Sequence, residues 1–374
     1  MIVYALTVIL TLSNMLLALT RKHSKVIAMF LLLFMWLLFW GNTMNLDYEA
    51  YSSLYSNIQH GVPVFKKVNM EIGFILIMKL CTLLGLNYTG FLTLTSLCCY
   101  LMIHSTVKLY CRNYNYVYLL YFIFPFFIDV IQIRNFIVMS ILIYSVRFLV
   151  MGGIKGKVKY VILLLLATTI HRVSLVYLPM ILIRPEKKNN LIYCLATCSL
   201  LFSILFLLND KEIPIFASYI ESYIGHGKYL AYFKKKTNWG WILLCCLPLS
   251  SFIMIMFSKR IYHNYNRNST ITYYCDTNRK YINIMYYINL LLIIYMPLYI
   301  LNGNFLRIIR NIILLNYIVY SIVNKVIDNI DIKVLYSIFV IIYILAFFII
   351  IIIPQKEDII MSVINNNIIY NLLR

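Results

Sequence analysis

The chain has 374 residues, of which 62% are Ala, Val, Ile, Leu, Met, Phe, Trp, Tyr or Cys and 12% are charged, with a mean hydropathy of +0.83. A soluble domain is near half apolar and a quarter charged, so this composition excludes a cytosolic globule and leaves a polytopic membrane protein. The net charge of +20, from 33 Lys+Arg against 13 Asp+Glu, would point to nucleic acid in a soluble chain. Here the cations sit in loops between apolar runs, where they set topology, and no nucleic-acid partner is expected.

Apolar segments are predicted at residues 2–20, 26–41, 72–86, 91–110, 116–131, 134–151, 158–170, 173–183, 191–208, 239–257, 282–301, 308–324 and 334–353. Runs of this kind cross a hydrocarbon core about 30 Å thick as helices. The expected fold is therefore all-α, a membrane protein with about 12–13 hydrophobic segments. Residues 1–353 are read as one transmembrane domain with outward loops at 41–70 and 209–238, followed by a short C-terminal tail, 354–374. The first run has the length of a signal peptide but lacks a preceding basic region and a small-residue cleavage site, and is expected to be a retained span. The nine Cys form no Cys-x-x-Cys pair, which argues against a disulfide framework and a zinc site. No Gly-rich phosphate loop, internal repeat or inverted symmetry is apparent.

Four basic loops, Arg21/Lys22/Lys25, Lys155/Lys157/Lys159, Arg184/Lys187/Lys188 and Lys259/Arg260/Arg267/Arg279/Lys280, should share the cytoplasmic face. Five apolar segments separate the first from the second, an odd number, so one is expected to be broken or re-entrant. The candidates are residues 72–86, interrupted by Lys79 and Gly85, and 116–131, interrupted by Pro125 and Asp129. Irregular backbone at membrane depth is tolerated where protein or a water-filled cavity covers it, which is where chemistry would be kept. With that correction residues 41–70, 132–135, His171, 209–238 and 302–307 face outward and are expected to converge.

Those segments hold the polar islands. If the stretch after residue 41 is helical, Asp47, Tyr51 and Tyr55 share one face at i, i+4 and i+8; a solvated loop is the alternative. Glu71 opens the next apolar run, either as a cap on the helix start or as a paired or functional carboxylate. Lys79 lies deeper in the same run. Arg134 stands in a polar island among the most apolar sequence of the chain, where it needs an anion, either an external phosphate or carboxylate or Asp129. His171, between two short apolar runs, either shuttles protons and donates to phosphate oxygens or is structural. Arg307 and Arg310 precede a late span as anchors or anion ligands. The Lys surplus of residues 209–238 is a solvated face or a guide for an anionic ligand.

Taken in order, Asp47-Tyr48 with Tyr51, Glu71-Ile-Gly-Phe74, Ile133-Arg134-Asn135, His171-Arg-Val-Ser-Leu175 and Asn304-Phe-Leu-Arg307 resemble the EpsG-type family of Wzy-like polysaccharide polymerases over roughly residues 40–320. Two departures matter: that family often has Arg-Gln and a small residue where this chain has Arg134-Asn135-Phe136, and its late Arg is usually followed by a tyrosine-rich helix start. The resemblance implies a glycosyltransferase of the bacterial inner membrane, active toward the periplasm or exterior, that joins repeat units carried on undecaprenyl diphosphate in O-antigen, capsule or exopolysaccharide assembly. It also implies affinity with multi-span glycosyltransferases that use lipid-linked donors. Implied partners are the undecaprenyl-diphosphate-linked oligosaccharide, membrane lipids, a chain-length regulator and a flippase. No cofactor and no metal are expected.

In such a transfer the leaving diphosphate develops charge, which fixed cations stabilise where water is excluded. Arg134, His171 and Arg307 take that role, Asp47 is the first and Glu71 the second choice of base or orienting carboxylate, and Tyr48 and Tyr51 stack on sugar rings. Two rivals remain, a flippase or exporter of the same lipid-linked oligosaccharide and a membrane O-acyltransferase. A transporter would line a central path with its charges and often show repeated halves; an acyltransferase would place a catalytic His beside an acidic or Arg partner near an N-terminal span, whereas His23 sits in a basic loop.

Overall fold

The computed structural model describes residues 2–19, 23–63, 70–209, 240–266 and 272–368. The expectations placed on Arg21, Lys22, Arg267 and nearly all of the loop 209–238 lie outside the described residues. The first half runs α1 (Ile2–Leu19), α2 (Lys25–Trp40), α3 (Tyr48–Gln59), α4 (Ile72–Leu83), α5 (Tyr88–Tyr110), α6 (Tyr114–Ile123), α7 (Phe126–Ile131), α8 (Ile133–Met151) and α9 (Gly153–Ile170). After a tight 3₁₀ helix, Arg172–Leu182, come α10 (Asn190–Leu208), α11 (Gly240–Asn266), α12 (Thr272–Ile293) and α13 (Met296–Leu301). The short turn Gly303–Leu306 leads into α14 (Arg307–Val326), α15 (Ile330–Phe347), further helical turns over Phe348–Met361 and α16 (Ser362–Asn365). Among the described residues there is no strand, only an isolated bridge between Asn42 and Asn367. The protein is an all-α polytopic membrane protein. Among the described residues, six stretches are long and apolar enough to span: Tyr88–Tyr110, Ile133–Met151, Asn190–Leu208, Gly240–Tyr265, Gly303–Val326 and Ile330–Gln355.

Helix starts follow local chemistry. Ser24, Asn87, Asn113 and Asn329 each accept a backbone N–H from the first turn of the helix they precede, satisfying donors that would otherwise be orphaned. The chain reverses between α8 and α9 at Gly152 and Gly153, both at positive φ (74° and 69°), which a side chain rarely adopts. The segment 116–131 is indeed broken, because Pro125 has no N–H to continue α6 and a new short helix, α7, begins after it.

The chain divides into two compact units, one of residues Met1–Leu178 with Asn311–Arg374 and one of Pro179–Arg310. In the first unit α8 forms the core, buried over nearly its whole length. Apolar helices in lipid gain little from burying one another, so polar pairs fix their register. Asn135 and Asn311 exchange amide hydrogen bonds of 2.7 and 3.0 Å between α8 and α14. Asn115 donates to Asn14 across α6 and α1 at 2.7 Å, and Asn324 to Ser337 across α14 and α15.

The helices of this unit run between two ends. One holds Gly41, Tyr48, Tyr88, Ile131, Arg134 and His171; the other holds the basic residues Lys25, Lys155 and Lys157 at the opposite tips of α2 and α9. Helix α4 is 12 residues long, about 18 Å, and does not join the two. It leaves Glu71 beside Arg134 and His171, and the chain after it is already back at α3, where Leu86 O accepts from Tyr55 Oη at 2.7 Å and Tyr88 packs on Tyr48. The broken pair α6–α7, by contrast, runs from one end to the other. Of the two candidate segments, 72–86 is therefore the one that returns to its starting end, and the chain passes between the two ends four times from the first basic loop to the second.

In the second unit Ser199 and Tyr193 of α10 bond Ile294 O (2.8 Å) and Tyr286 Oη (3.1 Å). Its two basic loops meet: Lys280 pairs with Glu186 at 2.8 Å and Asn283 donates to Pro185 O. The outer face of α10 presents Leu201, Ile204, Leu205 and Leu208, as a helix against lipid should.

Candidate functional site

At the end of the first unit away from Lys25 and Lys155, the sequence folds so that one carboxylate meets two cationic side chains. Glu71 precedes α4 in extended conformation and makes no side-chain capping bond, which decides between the two roles open to it. Its Oε2 accepts from Arg134 Nη1 at 2.7 Å and its Oε1 lies 3.1 Å from His171 Nδ1, with Arg172 N donating to Oε1 at 3.3 Å. Gly73 makes this meeting possible. A Cβ there would lie 2.7 Å from Thr169 O and overlap Thr169 Oγ1, so only glycine lets the start of α4 approach the end of α9 this closely.

Arg134 begins α8. Its Nε donates to Tyr51 Oη at 2.9 Å, and its guanidinium lies 5.5 Å from the Tyr51 ring centre and 5.9 Å from that of Phe74. Tyr51 in turn packs edge-on to Phe74, 5.4 Å between centroids. Two of the five N–H donors of the guanidinium are thus engaged, leaving three for an anion. The side chains of Arg134, Glu71 and His171 are 21%, 13% and 17% exposed, a semi-enclosed setting in which charge-assisted bonds are strong.

Burial pushes the Glu71 carboxyl up, but the His171 hydrogen bond, its own backbone N–H, the Arg134 charge and the Arg172 N–H outweigh it and hold the pKa at about 2. It is a carboxylate throughout the working range and so an acceptor toward His171 Nδ1. Burial raises the Tyr51 phenol, with Arg134 opposing and the charges of Asp47 and Glu71 adding to it.

The other expected residues fall as follows. Residues 48–59 form the helix that the spacing required, with Tyr51, Leu54 and Tyr55 on its buried face. Asp47 precedes its start, half-buried and without a side-chain capping bond, one turn before Tyr51, and its backbone N–H donates to Asn45 Oδ1. Tyr48 is half-buried and stands edge-on to Tyr88 at 5.1 Å. Tyr51 is only 5% exposed, so its surface is spent on Phe74 and Arg134. Lys79 is exposed on the outer face of α4. Asp129 does not pair with Arg134; it is buried and accepts from Tyr121 Oη at 3.1 Å. Arg307 belongs to the second unit, where its Nε donates to Asn304 O at 2.8 Å. Among the described residues no three His, Cys, Asp or Glu side chains gather as a cation would require.

Residues that the spacing did not single out are Phe74, which closes the aromatic side of Arg134, and Asn42, Asn45 and Asn367. Asn42 Nδ2 donates to Ser362 O (2.9 Å) and Asn366 O (3.2 Å), and Asn367 Nδ2 to Leu38 O (2.9 Å). Asn45 lines a crevice with Tyr48, Tyr51 and Tyr88. The only signal was the local density of Asn on both sides, which carries no pairing information.

Compared with known proteins, residues 25–364 match the family model described as the EpsG family. No curated protein and no solved structure matches the chain.

Proposed function

This chain belongs to the EpsG family, and we propose that it is an oligosaccharide repeat-unit polymerase, a glycosyltransferase acting on glycan carried by a lipid diphosphate such as undecaprenyl diphosphate. The observation that carries the reading is the Glu71-centred cluster, in which α4, α8, α9 and α3 place Arg134, His171 and Tyr51 around one carboxylate.

A hydroxyl of the acceptor sugar attacks the anomeric carbon of the donor, the bond from that carbon to the phosphate oxygen breaks, and the electron pair leaves with the lipid diphosphate. Arg134, oriented by Tyr51 and Glu71, stabilises that charge through its remaining donors. His171, 3.1 Å from Glu71 Oε1 through Nδ1, is the second residue proposed to contact the diphosphate. Glu71, held at about 2, is too weak a base for the hydroxyl proton. Asp47 is the base in this reading, and Glu71 is a positioning residue for Arg134 and His171. Tyr48 offers a ring face to the sugar. The basic tips of α2 and α9 lie at the opposite end of the unit, which supports a bacterial inner-membrane topology with the site facing outward.

Cells carrying Arg134→Ala or Asp47→Asn are expected to insert the protein normally and to export single repeat units, read as the collapse of a polysaccharide ladder on a gel. Full ladders from both variants overturn the reading. Lipid-linked units trapped on the cytoplasmic face indicate transport instead, and full-length chains lacking acyl groups indicate acyl transfer.

A further inference from the structure

A second concavity lies beside the ion cluster in the first unit. It is a groove of about 430 Å³ between the loop before α3 and the helical turns ahead of α16, and Asn45, Glu49, Glu357, Asp358, Met361 and Asn365 contribute to its walls. Its size falls within the roughly 300–1,000 Å³ usual for small-molecule sites. The walls are tied together: Thr43 N donates to Asn366 O and Ile368 N to Gly41 O, both at 2.8 Å, beside the Asn42 and Asn367 bonds above. The C-terminal segment is therefore part of the groove's construction.

The lining chemistry is specific. Carboxylates only accept hydrogen bonds and carboxamides accept and donate, a set suited to a ligand rich in O–H and N–H donors. Met361, with Met44 and Leu46, supplies apolar surface for the C–H faces of a pyranose. In a chain of net charge +20 with 13 acidic residues, three carboxylates face one groove, and the neighbouring cation Lys356 reaches Glu357 only at 4.0 Å. An anionic sugar would be repelled there. Asn45 lines both this groove and the crevice that contains Tyr48 and Tyr51, and Tyr51 holds Arg134, so the groove and the ion cluster are built on the same segment, residues 45–51.

We propose that the groove between residues 44–49 and 357–366 is a subsite for uncharged or amino sugar residues of the lipid-linked glycan. This rests on the polymerase reading and adds to it a substrate class, a glycan without uronic acid at the bound segment, and a role for the C-terminal turns.

The test uses the full chain in lipid nanodiscs and the repeat-unit oligosaccharide released by mild acid from the lipid-linked pool of the producing cells, with an oligouronate of equal length as comparison, by titration calorimetry. The wild type is expected to bind the repeat unit and reject the oligouronate. E357K with D358K should raise Kd at least tenfold, and the near-isosteric Asp358→Asn about threefold with an unchanged unfolding temperature. Arg134→Ala should leave Kd within twofold, because the released glycan carries no diphosphate. The proposal is overturned if the wild type does not bind the repeat unit, if the oligouronate binds equally, if neither groove variant changes Kd, or if Arg134→Ala abolishes binding. A full ladder from Arg134→Ala cells together with weakened glycan binding in the groove variants would sink the polymerase reading and leave the subsite standing.

Discussion

Gly73→Ala tests how the site is assembled without touching any charged group. The added methyl would sit 2.7 Å from Thr169 O and 2.8 Å from Thr169 C, and relief to an ordinary contact of about 3.4 Å moves the start of α4 away from α9 by about 0.7 Å. Glu71 leads α4, so its 3.1 Å approach to His171 Nδ1 stretches to about 3.8 Å, beyond hydrogen-bonding distance. Overpacking of this kind costs about 1–3 kcal/mol, which lowers the thermal midpoint by an amount on the order of 5 °C. The assay pairs thermal unfolding of the purified protein with the polysaccharide ladder of cells carrying the variant. Both should deteriorate, while Gly240→Ala, where a Cβ meets nothing within 4 Å, should leave both unchanged. Thr169→Ala should not rescue Gly73→Ala, since the obstacle includes Thr169 backbone. A wild-type midpoint and ladder for Gly73→Ala, or full rescue by Thr169→Ala, would refute the reasoning.

Two further outcomes follow from the geometry. Glu71→Gln should lower the unfolding midpoint at neutral pH, because Arg134 and His171 lose their anion. The Glu71 carboxyl falls from 4.5 to about 2 on folding, so its stabilisation is present above about pH 4.5 and lost as pH falls toward 2; the wild-type and variant curves should converge across that window, and a gap that persists or widens there contradicts the assignment. Asn135→Leu strands the buried amide of Asn311 and should cost about 1–3 kcal/mol. Replacing both with Leu should recover most of this in thermal unfolding, and strictly additive losses would show that the two amides do not act as a pair.

Much of the architecture was legible because single-chain patterns dictate it. Most apolar runs became α-helices, although 239–257 extends to Asn266, 282–301 starts at Thr272 and breaks after Ile293, and 173–183 is a 3₁₀ helix; the i, i+4, i+8 spacing of Asp47, Tyr51 and Tyr55 produced α3, and Pro125 broke the segment that contains it. The parity of the basic loops called for a segment that does not cross, but loop charge alone left two choices; the broken α6–α7 runs from one end of the unit to the other, and the unbroken α4 does not. Partner choice was less legible. Asp129, five residues from Arg134, was the local candidate for its counter-ion, whereas the observed partner is 63 residues away, and sequence distance says nothing about approach once Gly73 has set where two helices touch. The C-terminal turns looked like a tail because their hydrogen bonds reach back more than 300 residues to Asn42 and Leu38, a pairing with no local periodicity.

The double engagement of Arg134 also bears on turnover. A guanidinium that already carries a carboxylate presents a weaker field to an arriving anion than a bare cation does, but it is held rigid by Tyr51 and Glu71 and needs little reorganisation at the moment of bond breaking. In the polymerase reading proposed above, a spent carrier held by so tempered a cation would escape sooner, with Glu71 at hand to balance the charge left behind. Under that reading, chain growth by many successive additions would favour the compromise, since a site that grips its by-product too firmly stalls after one cycle.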